Sequence, residues 1–337
     1  MNEPTLDLAV VGCGAISHWH LDAIQRAALP VRVTAAIDPD VASATTIAQR
    51  CGGRAFSSLA DALAVGGFSA ALVAVPHHLH EPVATEALQA GLHVLLEKPI
   101  ATTVDACDRI LGTARDAGTV LMIAENAQYW PEVQTVRRLL ADGAIGDVIT
   151  ARSTTFFPAL GDFYGGERPW RFDRQAAGGG VAVDTGSHWL RPLRVWLGEI
   201  DEVVATLGYP HPEMEGESLC RALLRFDSRV VASFDAMLST GAIAPQPLFT
   251  VTGSGGEITV EGSGWVKLYD GSDWRGAKVG ERGGYLTSYE GEWADFVSAV
   301  LDGTPPAVPP EYALGELRAA LAMYRSAESR RWERVWE

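Results

Sequence analysis

Segments typical of strands and of helices alternate along the first 126 residues of the chain. Apolar runs at residues 6–11, 31–37, 70–75, 94–96 and 120–124 are predicted strands, and helices are predicted at residues 16–28, 41–50, 59–65, 81–90 and 104–117. Strands that alternate with helices of this length indicate a parallel sheet with right-handed crossovers. The first part of the chain is therefore predicted to be an α/β domain.

The first predicted strand leads into a glycine-rich turn, Gly12-Cys-Gly14-Ala15-Ile16-Ser17. Two glycines allow a tight turn and a close approach of the backbone to a pyrophosphate, whose charge suits the N-terminus of the following helix. Ser17 stands where this pattern usually has Gly or Ala. The motif alone also fits a plain strand–turn–helix, and the surrounding alternation favours the dinucleotide interpretation for Gly12, Gly14, Ala15 and Ile16.

Asp38 follows the second predicted strand, 21 residues beyond Ser17. A carboxylate at this spacing holds the adenosine ribose hydroxyls of a dinucleotide, the alternative being a turn or helix cap before Pro39. No arginine that could hold a 2′-phosphate is adjacent, and the charge of Asp38 would repel one. The sequence therefore favours NAD over NADP.

Two further predicted strands end in polar side chains. The strand at residues 94–96 leads into Glu97-Lys98-Pro99, and a lysine at the exit of a buried strand is costly unless it has a partner or a task. Ligands of open α/β sheets bind beyond the carboxyl ends of the strands, so Lys98 is placed where a substrate or cofactor would lie. The preceding strand ends in Pro76-His77-His78-Leu79-His80, and these histidines are interpreted as a wall beside the cofactor rather than a metal site.

The pattern changes after residue 126. A helix at residues 131–141, a strand at 147–157, a Gly-, Trp- and Arg-rich loop at 161–174 and a helix at 183–197 precede serial strands at 202–207, 218–226, 230–237, 248–252 and 256–261. Serial strands at hairpin spacing indicate an antiparallel sheet. Helices at residues 289–301 and 313–328 follow. We expect two domains, residues 1–126 and 127–337, with the option that the C-terminal helix packs back on the first.

Asp184 and His188 follow the glycine run 178–180. If this stretch is helical, the two side chains lie at i and i+4 on one face. A carboxylate beside an imidazole orients the ring and stabilises its protonated form, as a proton-accepting base requires. The alternative is a helix cap at Asp184 and a core histidine at 188.

Together these residues resemble the glucose–fructose oxidoreductase / inositol dehydrogenase (Gfo/Idh/MocA) family over essentially the whole chain. The resemblance implies an N-terminal Rossmann domain, a doubly wound parallel sheet that holds a nicotinamide dinucleotide. It also implies a C-terminal α+β domain with an open, mostly antiparallel sheet that covers the substrate and forms oligomer contacts. Lys98, Asp184 and His188 would form the catalytic group of a sugar or polyol dehydrogenase.

In such an enzyme a hydride leaves carbon for the nicotinamide while a base takes the hydroxyl proton. We assign His188 as the base, tuned by Asp184, and Lys98 as the donor to the same oxygen, although the roles of Lys98 and His188 could be exchanged. Pro76, His77, His80, Glu97 and Lys98 are predicted to line the cofactor. Where the family often has Asp three residues after this histidine, the chain has Arg191, which would favour an acidic or phosphorylated substrate.

Four further residues are weaker candidates for substrate contacts. Asn126 and Tyr129 follow the last strand of the first domain, and a role at the domain junction is the alternative. Trp170 and Arg171 precede the glycine run and could stack on and clamp a sugar, with loop packing as the alternative. Two other functions also remain open, a reductase of an imine or unsaturated ring and a nucleotide sensor without catalysis.

Charge and composition exclude other classes of protein. A formal net charge of −15 without a basic stripe argues against nucleic-acid binding, and no apolar stretch reaches the length of a membrane span. Four scattered cysteines and an N-terminus without a basic region indicate a cytoplasmic protein. Alternating residues of the antiparallel sheet (Leu219, Ala222, Leu224, Val231, Ser233 and Asp235) predict an open face that joins subunits into a homodimer or homotetramer.

Overall fold

The computed structural model describes residues 4–158, 169–239, 241, 243–262, 264–280 and 285–337. The chain separates into two compact units, which are Met1–Ala124 with Tyr289–Leu314, and Glu125–Ser288 with Gly315–Glu337. This division differs from two consecutive domains at 1–126 and 127–337, because residues 289–314 group with the first unit.

Within the described residues, the first unit contains a six-stranded sheet whose neighbouring strands are all parallel. Its strands are β1 (Leu6–Val11), β2 (Val31–Ile37), β3 (Arg54–Phe56), β4 (Ala70–Val73), β5 (His93–Glu97) and β6 (Leu121–Ala124). Their order across the sheet is β3-β2-β1-β4-β5-β6, the doubly wound order of a Rossmann fold. The predicted parallel sheet is confirmed, with β3 as an additional strand.

Helices connect these strands close to the predicted positions. They are α1 (Ala15–Arg26), α2 (Val41–Cys51), α3 (Leu59–Val65), α4 (His80–Gln89) and α5 (Val104–Ala117). The side chains of Asp40, Ser58 and Thr103 accept hydrogen bonds from first-turn amides and so begin α2, α3 and α5. Gly118, in the left-handed conformation, ends α5.

The second unit is built on a nine-stranded sheet in the part of the chain that the structure describes. Its strands are β7 (Val148–Pro158), β8 (Ile200–Gly208), β9 (Leu219–Phe226), β10 (Val231–Ser239), β11 (Pro247–Gly253), β12 (Glu257–Glu261), β13 (Trp265–Tyr269), β14 (Trp274–Lys278) and β15 (Glu333–Arg334). They lie in the order β14-β13-β12-β11-β7-β10-β9-β8-β15. All neighbours are antiparallel except β7 and β10, so the predicted mostly antiparallel sheet is confirmed.

The two faces of this sheet differ in burial. On β9 the even-numbered side chains from Cys220 to Phe226 are buried, while Leu223 on the opposite face is 45% exposed. Leu223 pairs with Ser233 of β10, and Arg221 pairs with Asp235. The predicted placement of Ala222 and Leu224 on the open face is therefore wrong, because side chains alternate along a strand and both even-numbered residues point into the core.

The remaining helices are α6 (Pro131–Ala141), α7 (Arg174–Ala177), α8 (Ser187–Leu197), α9 (Tyr285–Leu301) and α10 (Leu314–Ser329). Helix α8 begins four residues later than predicted, because residues 181–186 form turns. Of the predicted loop at 161–174, residues 161–168 lie outside the described residues. None of the described helices has the length and apolar character that crossing a bilayer requires.

Candidate active site

The glycine turn after β1 has the geometry of a phosphate-binding turn. Gly12 has φ +90°, and a Cβ atom there would lie 2.3 Å from the carbonyl oxygen of Ala74, so only glycine fits. Ser17 is fully buried, and its hydroxyl donates to the carbonyl oxygen of Gly12 at 2.5 Å. A Cβ at Gly14 would meet no atom within 4 Å, and α1 begins here without a side-chain cap. The open space and the uncapped helix N-terminus fit a dinucleotide pyrophosphate.

Asp38 lies directly beside this turn. Its Oδ2 accepts the main-chain N–H of Cys13 at 2.8 Å, and its Oδ1 accepts the N–H of Asp40 at 2.8 Å. The carboxylate therefore has the turn-forming role that was the alternative, and it also borders the glycine turn, where ribose hydroxyls would lie. Burial, aided by the charge of Asp38, raises the pKa of the Cys13 thiol to about 12, so Cys13 stays neutral at ordinary pH.

His80 joins the turns that follow β4 and β5. Its Nδ1 lies 2.7 Å from the carbonyl oxygen of Pro99, and its Nε2 lies 2.9 Å from that of Val75. Burial lowers the pKa of His80, while the two carbonyl oxygens act in the opposite direction. His77, also buried, contacts the His80 ring edge-on. Both nitrogens of His80 face the main chain, which makes this residue a brace between the two turns.

The Glu97–Lys98–Pro99 segment lies at the carboxyl end of β5, as predicted. Glu97 is 7% exposed, and both of its carboxylate oxygens are bound by groups of the first unit. Oε1 lies 2.8 Å from Nε2 of His20, and Oε2 accepts the main-chain N–H of Lys98 at 3.1 Å. Lys98 itself is partly exposed, and the Lys98–Pro99 bond is cis.

In the second unit, His188 pairs with a carboxylate that is not among the predicted site residues, that of Glu125. Its Nδ1 lies 2.6 Å from Oε1 of Glu125, which also accepts the N–H of Ala127 at 3.1 Å. Glu125 is 1% exposed and His188 is 6% exposed. A signal was present, because Glu125 follows the buried strand β6 as Lys98 follows β5.

The predicted helical spacing of Asp184 and His188 is wrong. Asp184 lies in the turns before α8, so the i, i+4 relation of a helix does not apply. Its Oδ2 accepts a hydrogen bond from Nε of Arg171 at 3.1 Å, and the Arg171 guanidinium stacks 4.3 Å above the ring of Trp170. Three predicted residues, Asp184, Arg171 and Trp170, thus form one group.

Arg191 belongs to a buried charge cluster. It is 1% exposed and binds Glu316 through two nitrogens, at 2.7 and 3.1 Å, and Gln128 at 2.7 Å. Arg194 also donates to Glu316. The interpretation of Arg191 as a residue that favours an acidic or phosphorylated substrate has no support from these contacts, which give it a structural role.

The other predicted substrate residues lie in the segment after β6. Asn126 is buried and donates from Nδ2 to the Ser288 hydroxyl at 2.9 Å, which fits a packing role. Tyr129, at the end of the short 3-10 turn Asn126–Tyr129, is partly exposed. The next residue, Trp130, lies with its ring centroid 6.3 Å from that of His188, so an aromatic wall adjoins the histidine.

The glycine run before α8 packs against a buried carboxylate. The Gly180 amide donates to the Tyr324 hydroxyl at 2.9 Å, and Oε1 of Glu217 accepts from that hydroxyl at 3.0 Å and from the Ala182 amide at 2.9 Å. A Cβ at Gly180 would lie 2.0 Å from the carbonyl oxygen of Glu217. Burial raises the pKa of Glu217 to about 7. This cluster fixes the turn that leads to Asp184 and His188.

Comparison with known proteins assigns both parts of the chain. Residues 6–125 match the oxidoreductase family with an NAD-binding Rossmann fold, and residues 133–259 match the GFO/IDH/MocA C-terminal domain. Over 162 residues the chain is 32% identical to inositol 2-dehydrogenase of Corynebacterium glutamicum, a match that covers 48% of each chain. The matched segment thus spans about half the length of that relative.

Other relatives match over more of the chain. It is 29% identical to D-xylose 1-dehydrogenase (NADP(+)) 2 of Haloferax volcanii, over 86% of this chain and 88% of the relative. A crystal structure of an oxidoreductase from Thermotoga maritima superimposes with a TM-score of 0.88 at 26% identity, covering 98% of this chain and 99% of the other. The chain therefore belongs to the Gfo/Idh/MocA oxidoreductase family.

Proposed function

We propose that this protein is an NAD-dependent dehydrogenase that oxidises a secondary hydroxyl of a sugar, an inositol or a related polyol. The names of the relatives, inositol 2-dehydrogenase and D-xylose 1-dehydrogenase, support this substrate class. The observation that carries the proposal is the buried hydrogen bond between Glu125 and His188, at 2.6 Å. It equips an imidazole to take a proton, which alcohol oxidation requires and nucleotide sensing does not.

The first unit supplies the groups for the cofactor. The glycine turn and the N-terminus of α1 would hold the pyrophosphate, and Asp38 would accept the ribose hydroxyls. Because a carboxylate repels a 2′-phosphate, we expect NAD rather than the NADP named for the xylose relative. Bound NAD would accept the hydride from the substrate carbon.

His188 is proposed to take the hydroxyl proton of the substrate. A carboxylate accepts and does not donate, so the hydrogen on Nδ1 points to Glu125 and Nε2 is left as the acceptor of the substrate proton. Glu125 then stabilises the imidazolium that forms. Lys98 is proposed to donate to a substrate oxygen and stabilise its developing negative charge. Asp184 stays a candidate for this centre, as do Tyr129, Trp170 and Arg171 for substrate contacts.

The test is a turnover assay of the purified protein with NAD or NADP and a panel of myo-inositol, D-xylose and levoglucosan. We expect the absorbance of reduced nicotinamide to rise with at least one member, and faster with NAD. Oxidation of NADH by an imine or an unsaturated ring, with no turnover of the panel, would instead establish a reductase. Tight NAD binding without any turnover would overturn the enzymatic proposal.

We further propose a homo-oligomer formed through the open face of the nine-stranded sheet, and a cytoplasmic location. The free thiols of Cys13, Cys51 and Cys220 support a reducing compartment. Fractionation of cells that produce the native chain would test the location, and recovery in a non-cytoplasmic fraction would contradict it.

A further inference from the structure

A buried chain of hydrogen bonds in the first unit ends at the main chain of Lys98. The indole N–H of Trp293, on α9, donates to Nδ1 of His20 at 2.9 Å. Nε2 of His20 lies 2.8 Å from Oε1 of Glu97, and Oε2 of Glu97 accepts the N–H of Lys98 at 3.1 Å. Trp293 and His20 are fully buried. We call Trp293, His20 and Glu97 the relay.

The donors in the relay determine the tautomer of His20. An indole nitrogen donates and never accepts, so Nδ1 of His20 must carry the lone pair. The ring hydrogen is then on Nε2, from which it donates to Glu97. Glu97 accepts on both oxygens, one bond from a side chain and one from the main chain of Lys98, so every group in the relay has a matching partner.

Two other groups of α9 border His20. The Tyr289 ring contacts it edge-on with centroids 4.8 Å apart, and Oε1 of Glu292 lies 3.9 Å from Nδ1. A distance of 3.9 Å is too long for a hydrogen bond, so Nδ1 keeps the Trp293 N–H as its donor. The imidazole is thus enclosed by an aromatic edge, an indole and two carboxylates, with its orientation set from both nitrogens.

The relay connects helix α1 to the end of strand β5. His20 lies on α1, whose N-terminus forms the glycine turn, and Glu97 is the last residue of β5. Fixing the Lys98 amide fixes the point from which the Lys98 side chain extends. Both oxygens of Glu97 accept hydrogen bonds within this unit, one of them from the Lys98 main chain, and these bonds give Glu97 a role in the support of Lys98.

We propose that His20, as the neutral Nε2–H tautomer, is a positioning residue that acts through Glu97 to hold Lys98 in place for the reaction. The inference rests on the proposed function, in which Lys98 donates to a substrate oxygen. A catalytic group displaced by about 1 Å can cost on the order of 10²-fold in rate, so loss of the relay lowers kcat although His20 touches neither substrate nor cofactor.

Three variants test the relay with the best substrate of the turnover panel. His20→Leu removes both bonds, and kcat should fall roughly 10- to 100-fold while the Kd of NADH, from its fluorescence, stays within about twofold. His20→Gln offers an acceptor and a donor again and should recover most of the loss. Trp293→Phe removes only the indole N–H and should lower kcat less than His20→Leu. His18→Leu, on the same helix, is the control and should behave as wild type.

Lys98→Ala separates this inference from the proposed function. If the relay acts through Lys98, adding His20→Leu to Lys98→Ala should cause no further loss of kcat. An inactive Lys98→Ala together with full kcat in His20→Leu, or with a second loss in the double variant, would overturn the relay and leave the proposed function standing. Near-normal kcat in Lys98→Ala would overturn both.

A spectroscopic measurement on the wild-type protein tests the tautomer without any substrate. With ¹⁵N-labelled histidine, the ring signals of His20, assigned by their loss in His20→Gln, should show an unprotonated Nδ1 and a protonated Nε2. The reverse pattern, or a doubly protonated ring at neutral pH, would contradict the proposed relay.

Discussion

Glu125 is the residue whose replacement tests the proposed base most directly. Glu125→Gln keeps the size of the side chain and removes the negative charge that stabilises the His188 imidazolium. We expect kcat to fall by about 10²- to 10⁴-fold with little change in the Kd of NADH. Glu132→Gln is the matched control, a buried glutamate on α6 whose pKa burial raises, and it should retain kcat. Equal kcat in the two variants would contradict the role of Glu125.

Arg191 provides a second test, because two roles make opposite predictions. Its contacts with Glu316 and Gln128 are buried, so Arg191→Met should lower the free energy of unfolding by about 3 kcal/mol. The KM of the folded variant should stay unchanged. Urea denaturation measures the free energy of unfolding, and steady-state kinetics measure the KM. A raised KM at an unchanged free energy of unfolding would instead indicate that Arg191 contacts the substrate.

Single residues were predictable where the chain itself dictates the local geometry. Gly12 follows from the strand–turn–helix pattern, and Lys98 follows from its place at the end of a buried strand. The place of Glu125 directly after β6 marked it as a possible site residue, but its pairing with His188 was not predictable, because 63 residues separate the two in sequence. The pairing of Asp184 with His188 failed because it assumed a helix where the chain forms turns.

At the scale of elements, the turn between β1 and α1 offers a matched pair of substitutions. Gly12→Ala would force φ +90° on alanine and a clash with Ala74, so it should lower stability by roughly 2 kcal/mol or more. Gly14 has φ −78° and open space around it, so Gly14→Ala should melt as wild type. It should nevertheless weaken NADH binding about tenfold or more, because the added methyl occupies the space of the pyrophosphate. Thermal melts and NADH titration check both, and unchanged NADH affinity in Gly14→Ala would contradict the assigned turn.

Glu217, which binds the turn before α8, should make the free energy of unfolding depend on pH. Folding raises the pKa of Glu217 from 4.5 to about 7, so the folded chain binds this proton more tightly than the unfolded chain. The resulting stabilisation, about 3 kcal/mol, is complete below about pH 4.5 and is lost as the pH rises through about 7. Between pH 5 and pH 8, the free energy of unfolding from urea denaturation should therefore fall more in the wild type than in Glu217→Gln. Exposed Glu213→Gln is the control, and equal losses in all three would rule the effect out.

Elements were predictable to the extent that they carry their own signals. Helix α5 has the predicted bounds because Thr103 caps it and Gly118 ends it. Strand β3 has only three residues, none of them buried, and every residue of β14 is exposed, so neither has the apolar pattern from which strands are recognised. Helix α8 begins at Ser187 because Glu217, distant in sequence, holds the preceding turn.

For the whole molecule, the alternation of strands and helices followed by serial strands was enough to predict both sheets, since each class of sheet imposes its own connections. The parallel pairing of β7 with β10 was not predictable, because it joins segments about 80 residues apart without a local signal. This pairing places β7 in the middle of the second sheet. On one face of β9 and β10 the side chains are buried, while those on the other, open face are exposed or partly exposed.

That open face predicts the assembly of the protein. Leu223 is 45% exposed on the outer face of β9, where it pairs with Ser233 of β10, and we propose that a second copy of the chain covers this face. Light scattering should give at least twice the 36.0 kDa of one chain for the wild type, and Leu223→Asp should reduce it to that mass. Val65→Asp, at a 49% exposed valine of α3 in the first unit, is the control and should keep the oligomer. A wild-type monomer at every concentration would contradict the proposed oligomer. An intact oligomer in Leu223→Asp would show that the subunits meet through a different surface.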